Sequence, residues 1–133
     1  MKNYVFDSFA LIAFFEDEQG AERVEKALRQ VSAKKARGWM SVINWGEVYY
    51  CTFRENGPDA ADDVISRLAD YPIELVDADQ HLTHEAAILK GKYRVAYADC
   101  FAVALARRKK AEILTGDPEF KKFKEKLRIN WIK

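Results

Sequence analysis

The chain is 133 residues long, enough for one domain with a real core, expected to span 1–133. It is 49% apolar and 32% charged, and 22 Lys plus Arg against 21 Asp plus Glu give no whole-protein field. Any nucleic-acid affinity must come from a local patch, and the opening "MKNYVFDSFALIAFFEDEQ", broken by Asp7 and closed by acids, reads as neither a secretion signal nor a membrane span.

"NYVF" (3–6) is a short β-branched and aromatic run ending at Asp7 and predicts a strand. Helical patterns follow over 8–18 and 20–36, the second with Val24, Ala27, Leu28 and Val31 at helical spacing. "GWMSV" (38–42) predicts a second strand, with Ser41 available to cap a helix over 43–56. "NGP" stops that helix, and Pro58 opens the next, over 58–71. "IELV" (73–76) is the third strand, followed by a helix over 79–93 that starts with a capping Asp. The run 95–110 predicts another helix, "EILT" (112–115) a fourth strand, 116–123 a turn into a short helix, and "RINWI" (128–132) a last strand.

Strands thus alternate with helices, which predicts an α/β fold: a three-layer α/β/α sandwich on a mostly parallel central sheet of about five strands. The expected core includes Phe6, Leu11, Ile12, Val24, Leu28, Val42, Ile65, Leu68, Val76, Val103, Leu105, Ile113 and Leu114. Phe101 and Trp45 are expected to face a partner chain. Cys51 and Cys100 stand alone in apolar surroundings, the pattern of two reduced, buried thiols in a cytoplasmic protein.

Asp99 sits inside the otherwise apolar "VAYADCFAVALA" (95–106). A carboxylate removed from water must be hydrogen-bonded, paired or metal-bound, or it protonates. Asp7 directly follows the first strand, Asp117 follows the fourth by two residues, and Glu47 lies early in the helix after the second. In a parallel sheet these positions share the carboxyl edge, where ligands bind. Four converging acids need a counter-charge, and Mg²⁺ or Mn²⁺ suits oxygen ligands. One or two such ions would serve phosphodiester cleavage. Each acid also has a purely structural reading. Asp117 before Pro118 is a helix cap, Asp7 before Ser8 is another, Asp99 gains from a helix dipole, and Glu47 can pair with Arg54.

Other chemistries fit worse. There is no G-x-G-x-x-G after the first strand, no P-loop and no G-x-S-x-G elbow. "FDSFA" lacks the second Asp of an aspartyl-nucleophile phosphatase. His81 and His84 have no further ligands to complete a zinc site and read as surface or core residues.

With these residues in view, the sequence resembles the PIN-domain family, and within it the VapC-type toxins of prokaryotic toxin–antitoxin pairs. The resemblance covers essentially the whole chain. It rests on Asp7-Ser8, on Glu47 in "SVINWGEV", on Asp99 in "YADCFAVALA" and on "TGDPEF" around Asp117. It implies an endoribonuclease dependent on Mg²⁺ or Mn²⁺, with Asp7, Glu47, Asp99 and Asp117 as catalytic metal ligands. Ser8, Thr115 and Asn44 would orient carboxylates or metal waters. It further implies a homodimer neutralised by a small antitoxin protein, and an RNA substrate. A PIN-like RNA-processing factor, or a non-catalytic RNA-binding module in which the acids are caps, is the competing reading.

RNA must be attracted to so acidic a site. Lys34, Lys35 and Arg37 form one basic cluster, Arg107 to Lys110 a second, and Lys121, Lys122, Lys124 and Lys126 a third, while Arg94 stands just before the Asp99 helix. Solvated helix ends explain the same charges equally well. "FALIAFF", with Phe14 and Phe15, is either core or an apolar anchor for the antitoxin.

Overall fold

In the structure, a computed structural model that describes residues 1–133, the strands form one fully parallel sheet in the order β3-β2-β1-β4-β5. The strands are β1 (Lys2–Phe6), β2 (Ala36–Ser41), β3 (Ile73–Val76), β4 (Glu112–Thr115) and β5 (Ile129–Trp131). The register sets Val5 beside Trp39 on one side and Ile113 on the other, and Thr115 beside Trp131. Residues of the central strands are buried on both faces, so their sequences run apolar instead of alternating.

Six α-helices cover the sheet: α1 (Ser8–Phe15), α2 (Ala21–Ser32), α3 (Val42–Asn56), α4 (Pro58–Leu68), α5 (Gln80–Lys92) and α6 (Tyr97–Lys109). Val5, Trp39 and Ile113 meet α5 and α6 in one core cluster, while Tyr4, Phe6, Met40 and Leu114 meet α1 to α4 in the other. The predicted three layers are therefore present. Side-chain caps start several helices. Asp7 accepts from the Ala10 N–H (2.8 Å), Ser41 from Ile43 (3.1 Å) and Asp79 from Leu82 (2.8 Å).

Boundaries shift where backbone geometry overrides periodicity. The pattern over 20–36 stops being helical at Ser32, because Lys34 takes φ +60° and turns the chain into β2. β2 begins at Ala36, earlier than expected, and Val42 belongs to α3. The helix expected to run to residue 18 ends at Phe15, with Asp17 at φ +52°. Residues Pro118–Lys122 form a 3-10 helix.

Most expected core residues are buried, but Ile12, Val42, Ile65 and Val76 are only half-buried. Phe101, expected at an interface, is packed inside the cluster under α6. Phe14 and Phe15 are half-buried against the other cluster, Phe14 edge-on to Tyr71 and Phe15 under Arg67. Cys100 is buried and Cys51 half-buried, and both are free thiols; burial pushes the Cys100 thiol up to about 11 and Cys51 also upward, which keeps both unreactive.

One glycine positions the site. A Cβ on Gly116 would lie 2.5 Å from Cε1 of Phe9 and 3.2 Å from Ile132. Phe9 follows Ser8 and Gly116 precedes Asp117, so this contact sets how closely the two acid-bearing loops approach. Gly116→Ala should cost about 1–3 kcal/mol through overpacking. Thermal unfolding checks it: a melting temperature equal to that of the unaltered chain would show that Phe9 yields freely.

Candidate metal and active centre

Strand order reverses between β1 and β4, the central adjacent pair. At such a switch point the loops leaving the two strands diverge to opposite faces and open a crevice at the carboxyl edge. Asp7 leaves β1 into that crevice and Asp117 leaves β4. α3 and α6 pack beside each other and bring Glu47 and Asp99 to the same edge. The four predicted acids therefore converge, although they come from four separate elements.

Their environments differ. Asp7 is 2% exposed, and its cap bond to Ala10 leaves its carboxylate otherwise deep in the protein. Burial raises its pKa to about 8, Asp99 and Asp117 push the same way, and the Thr115 hydroxyl and the Ala10 N–H oppose. Asp99 is 7% exposed and raised to about 7, first by burial and then by Asp117, Glu47 and Glu119. No ion pair in the chain includes any of the four acids. The cleft gathers four acids with no internal cation, and its two buried members hold their protons to higher pH in consequence.

The polar neighbours hold the acids in place. Ser8 Oγ donates to Glu47 Oε1 at 2.7 Å, and Asn44 Nδ2 donates to the same oxygen at 3.3 Å and to the Ala98 carbonyl at 3.2 Å. Asn44 thus ties α3 to the turn of α6 that carries Asp99. The Asp117 N–H donates to Thr115 Oγ1 (3.1 Å), so one hydroxyl serves both central strands.

Capping explains two acids but not the third. Asp7 caps α1, and Asp117 caps the 3-10 helix by accepting from the Glu119 N–H at 2.9 Å. Helix α6, by contrast, is preceded by Ala96 and has no side-chain cap. Asp99 Oδ2 is buried without any hydrogen-bond partner, as is Asn44 Oδ1. Two orphaned acceptors beside four carboxylates call for a cation or its water.

The donor set fits a hard, hydrated ion. No three His, Cys, Asp or Glu side chains close on a single point, which excludes a dry cage of protein ligands. Mg²⁺ does not require one, because it usually keeps several waters and takes one or two carboxylates directly. His81 is exposed on α5 and bound to Arg108 and Glu85, so it has no part in the site.

The structure separates the predicted cations. Lys34 and Lys35 lie in the turn before β2 and Arg37 near its start, at the opposite edge of the sheet from the acids. They therefore stand apart from the crevice. Arg107 to Lys110 end α6 at that far edge as well. Arg94, exposed before α6, is on the acid side. Two site residues go beyond those the sequence singles out. Glu119 adds to the negative field on Asp99, and Tyr50 reaches Glu47 Oε2 at 3.5 Å. Tyr50 lies three residues after Glu47 on one helix face, a spacing that would have found it.

Comparison with known proteins bears on this geometry. The PIN domain family model matches residues 4–126. The chain belongs to the PIN domain family. PIN domains are nucleases, which agrees with acids gathered at the carboxyl edge of the sheet. Solved structures share the PIN fold throughout. DNA-bound VapBC from Salmonella typhimurium aligns with a TM-score of 0.76 at 16% identity, covering 100% of both chains. VapBC2 from Rickettsia felis, bound to a DNA fragment from its promoter, gives 0.74 at 14% identity, covering 96% of this chain and 97% of that one. VapC20 from Mycobacterium tuberculosis, a toxin that cleaves the sarcin–ricin loop, gives 0.70 at 16% identity, covering 90% and 93%. A search of functionally curated proteins gives no match.

Proposed function

We propose that this PIN domain is a divalent-metal-dependent endoribonuclease, the cytoplasmic toxin of a toxin–antitoxin pair. One observation carries the catalytic reading: Asp99 is buried, caps nothing and leaves Oδ2 without a partner among four unpaired acids. A non-catalytic module would leave that cost of burial without a use.

Asp7, Asp99 and Asp117 would hold Mg²⁺ or Mn²⁺, one ion or two, partly through the ion's own waters, with Glu47 taking a ligated water. When bound, such an ion supplies Lewis-acid stabilisation and a water of lowered pKa for phosphodiester hydrolysis. Ser8 and Asn44 fix the Glu47 carboxylate so that it accepts a proton from a defined direction. Thr115 fixes Asp7 relative to Asp117. Burial of Asp99 in the first turn of α6 keeps bulk water from it, which strengthens its attraction for a cation.

The toxin reading draws on the relatives, whose structures include antitoxin complexes. A cleft of unpaired carboxylates suits a partner's arginine, which carries a permanent charge and two parallel donors. Exposed Tyr50 and Phe53 on α3 offer that partner an apolar footing next to Glu47. A homodimer of the toxin belongs to the same proposal.

Three measurements test it. Calorimetric titration with Mn²⁺ should show binding that is lost in Asp7→Asn and Asp99→Asn, whereas equal heats in all three would leave these acids no part in holding metal. Ser8→Ala should lower metal affinity or cleavage roughly 10- to 100-fold by releasing Glu47. Purification from the native host should recover a small basic partner. An active chain recovered alone and tolerated at high expression would favour RNA processing over toxicity.

A further inference from the structure

Four acids repel the phosphates of any strand they are to cut, so the cleft needs cations that bind RNA without neutralising the acids. Two lysines at the same sheet edge meet that requirement. Lys121, in the 3-10 helix after Asp117, lies with Nζ 5.7 Å from the centre of the Trp131 ring. Lys133 lies with Nζ 4.9 Å from the centre of the Phe9 ring. Both side chains are exposed, and neither takes part in an ion pair.

The rings place them. Trp131 is level with Thr115 at the carboxyl end of the sheet, and the Ile132 N–H donates to the Thr115 carbonyl at 3.0 Å. Phe9 follows Ser8 and presses on Gly116, the residue before Asp117. Trp131 packs towards the α5–α6 layer, while Phe9 and Ile132 pack towards the other. The two lysines therefore stand on either side of the end of β5. Each is steered by an aromatic face instead of a carboxylate. Neighbouring Lys122 is already paired with Glu119.

We propose that Lys121 and Lys133 form a phosphate-binding rim that holds the RNA strand across the β4–β5 side of the crevice. This rests on the ribonuclease reading for its ligand, but not on cleavage for its test. The rim, unlike Lys34, Lys35 and Arg37, lies at the same edge of the sheet as the acids. Both lysines are positioning residues: they touch the strand, and the acids do the chemistry.

The test is binding of a fluorescein-labelled single-stranded 12-nucleotide RNA by anisotropy, in EDTA and in an Asp99→Asn background, at several salt concentrations. Each phosphate contact contributes about 0.7 to the slope of log affinity against log salt, which is roughly fourfold in affinity at 0.15 M relative to 1 M. Lys121→Gln and Lys133→Gln should each lose roughly that factor and that slope, and Lys121→Arg should restore binding. Lys34→Gln with Lys35→Gln should change neither. Equal losses at both edges, no loss at the rim, or no RNA binding at low salt would overturn the rim. Cleavage by the unaltered chain is scored separately. Cleavage with rim-independent binding sinks the rim alone, and rim-dependent binding without cleavage upholds the rim and sinks the nuclease.

Discussion

Asp99→Asn should abolish RNA cleavage, with a loss on the order of a thousandfold, while the fold survives. The side chain is isosteric, and the position bears no cap or ion pair that the change would break. The metal-free variant should also melt at a higher temperature than the unaltered chain at pH 8. Removing one carboxylate relieves a buried charge that is repelled by Asp117, Glu47 and Glu119. Activity and stability then move in opposite directions, which a merely structural aspartate would not show. Asp7→Asn and Asp117→Asn should behave alike in activity. Glu47→Gln should be milder, roughly 10- to 100-fold, because Glu47 sits further along its helix and orients more than it binds. Circular dichroism alongside a cleavage assay separates the two effects. A variant that cuts at the unaltered rate removes that residue from the catalytic set.

The metal-free chain should lose stability as pH rises from about 4 to 8. In the unfolded chain Asp7 and Asp99 ionise near their ordinary 3.8; in the folded chain they do so at about 8 and about 7. Between those values the folded state keeps protons that the unfolded state has released, so the stabilising contribution is complete below pH 4 and lost as pH climbs. A tenfold difference in proton affinity between the two states is worth about 1.4 kcal/mol, so the melting temperature should fall steadily across this range. Mn²⁺ at pH 8 should reverse most of it, because the ion supplies the counter-charge that protons supply at low pH. Asp7→Asn should flatten the profile. A melting temperature that rises steadily from pH 4 to 8 without metal would contradict the repulsion assigned to the cleft.

Much of this is legible in one dimension. Alternation of short apolar runs with helical stripes such as Val24, Ala27, Leu28 and Val31 reports local burial, and local burial is what periodicity encodes. An aspartate inside "VAYADCFAVALA" signals a buried charge wherever the helix packs, and Asp99 is buried. Pairing is not local. Nothing in the strand sequences states that β1 lies between β2 and β4, yet that order creates the crevice; the parallel sheet leaves Lys34, Lys35 and Arg37 at the amino edge, away from it. Phe101 departs from expectation for a related reason. An aromatic residue in an apolar helix serves an interface or a core equally well, and only the seating of α6 on the sheet decides. Lys121 and Lys133 cannot be seen as a pair in the sequence, because the two rings that steer them, Trp131 and Phe9, are far apart along the chain.

The central claim is that four acids at the switch point of a PIN fold cut RNA with a divalent ion. Incubating the purified chain with total cellular RNA, in Mg²⁺ and in EDTA, with Asp99→Asn in parallel, tests it most directly. Discrete RNA fragments should appear with the unaltered chain in Mg²⁺ and in neither of the other reactions. RNA that stays intact in both Mg²⁺ and Mn²⁺, or fragments that persist in EDTA or with Asp99→Asn, would contradict it.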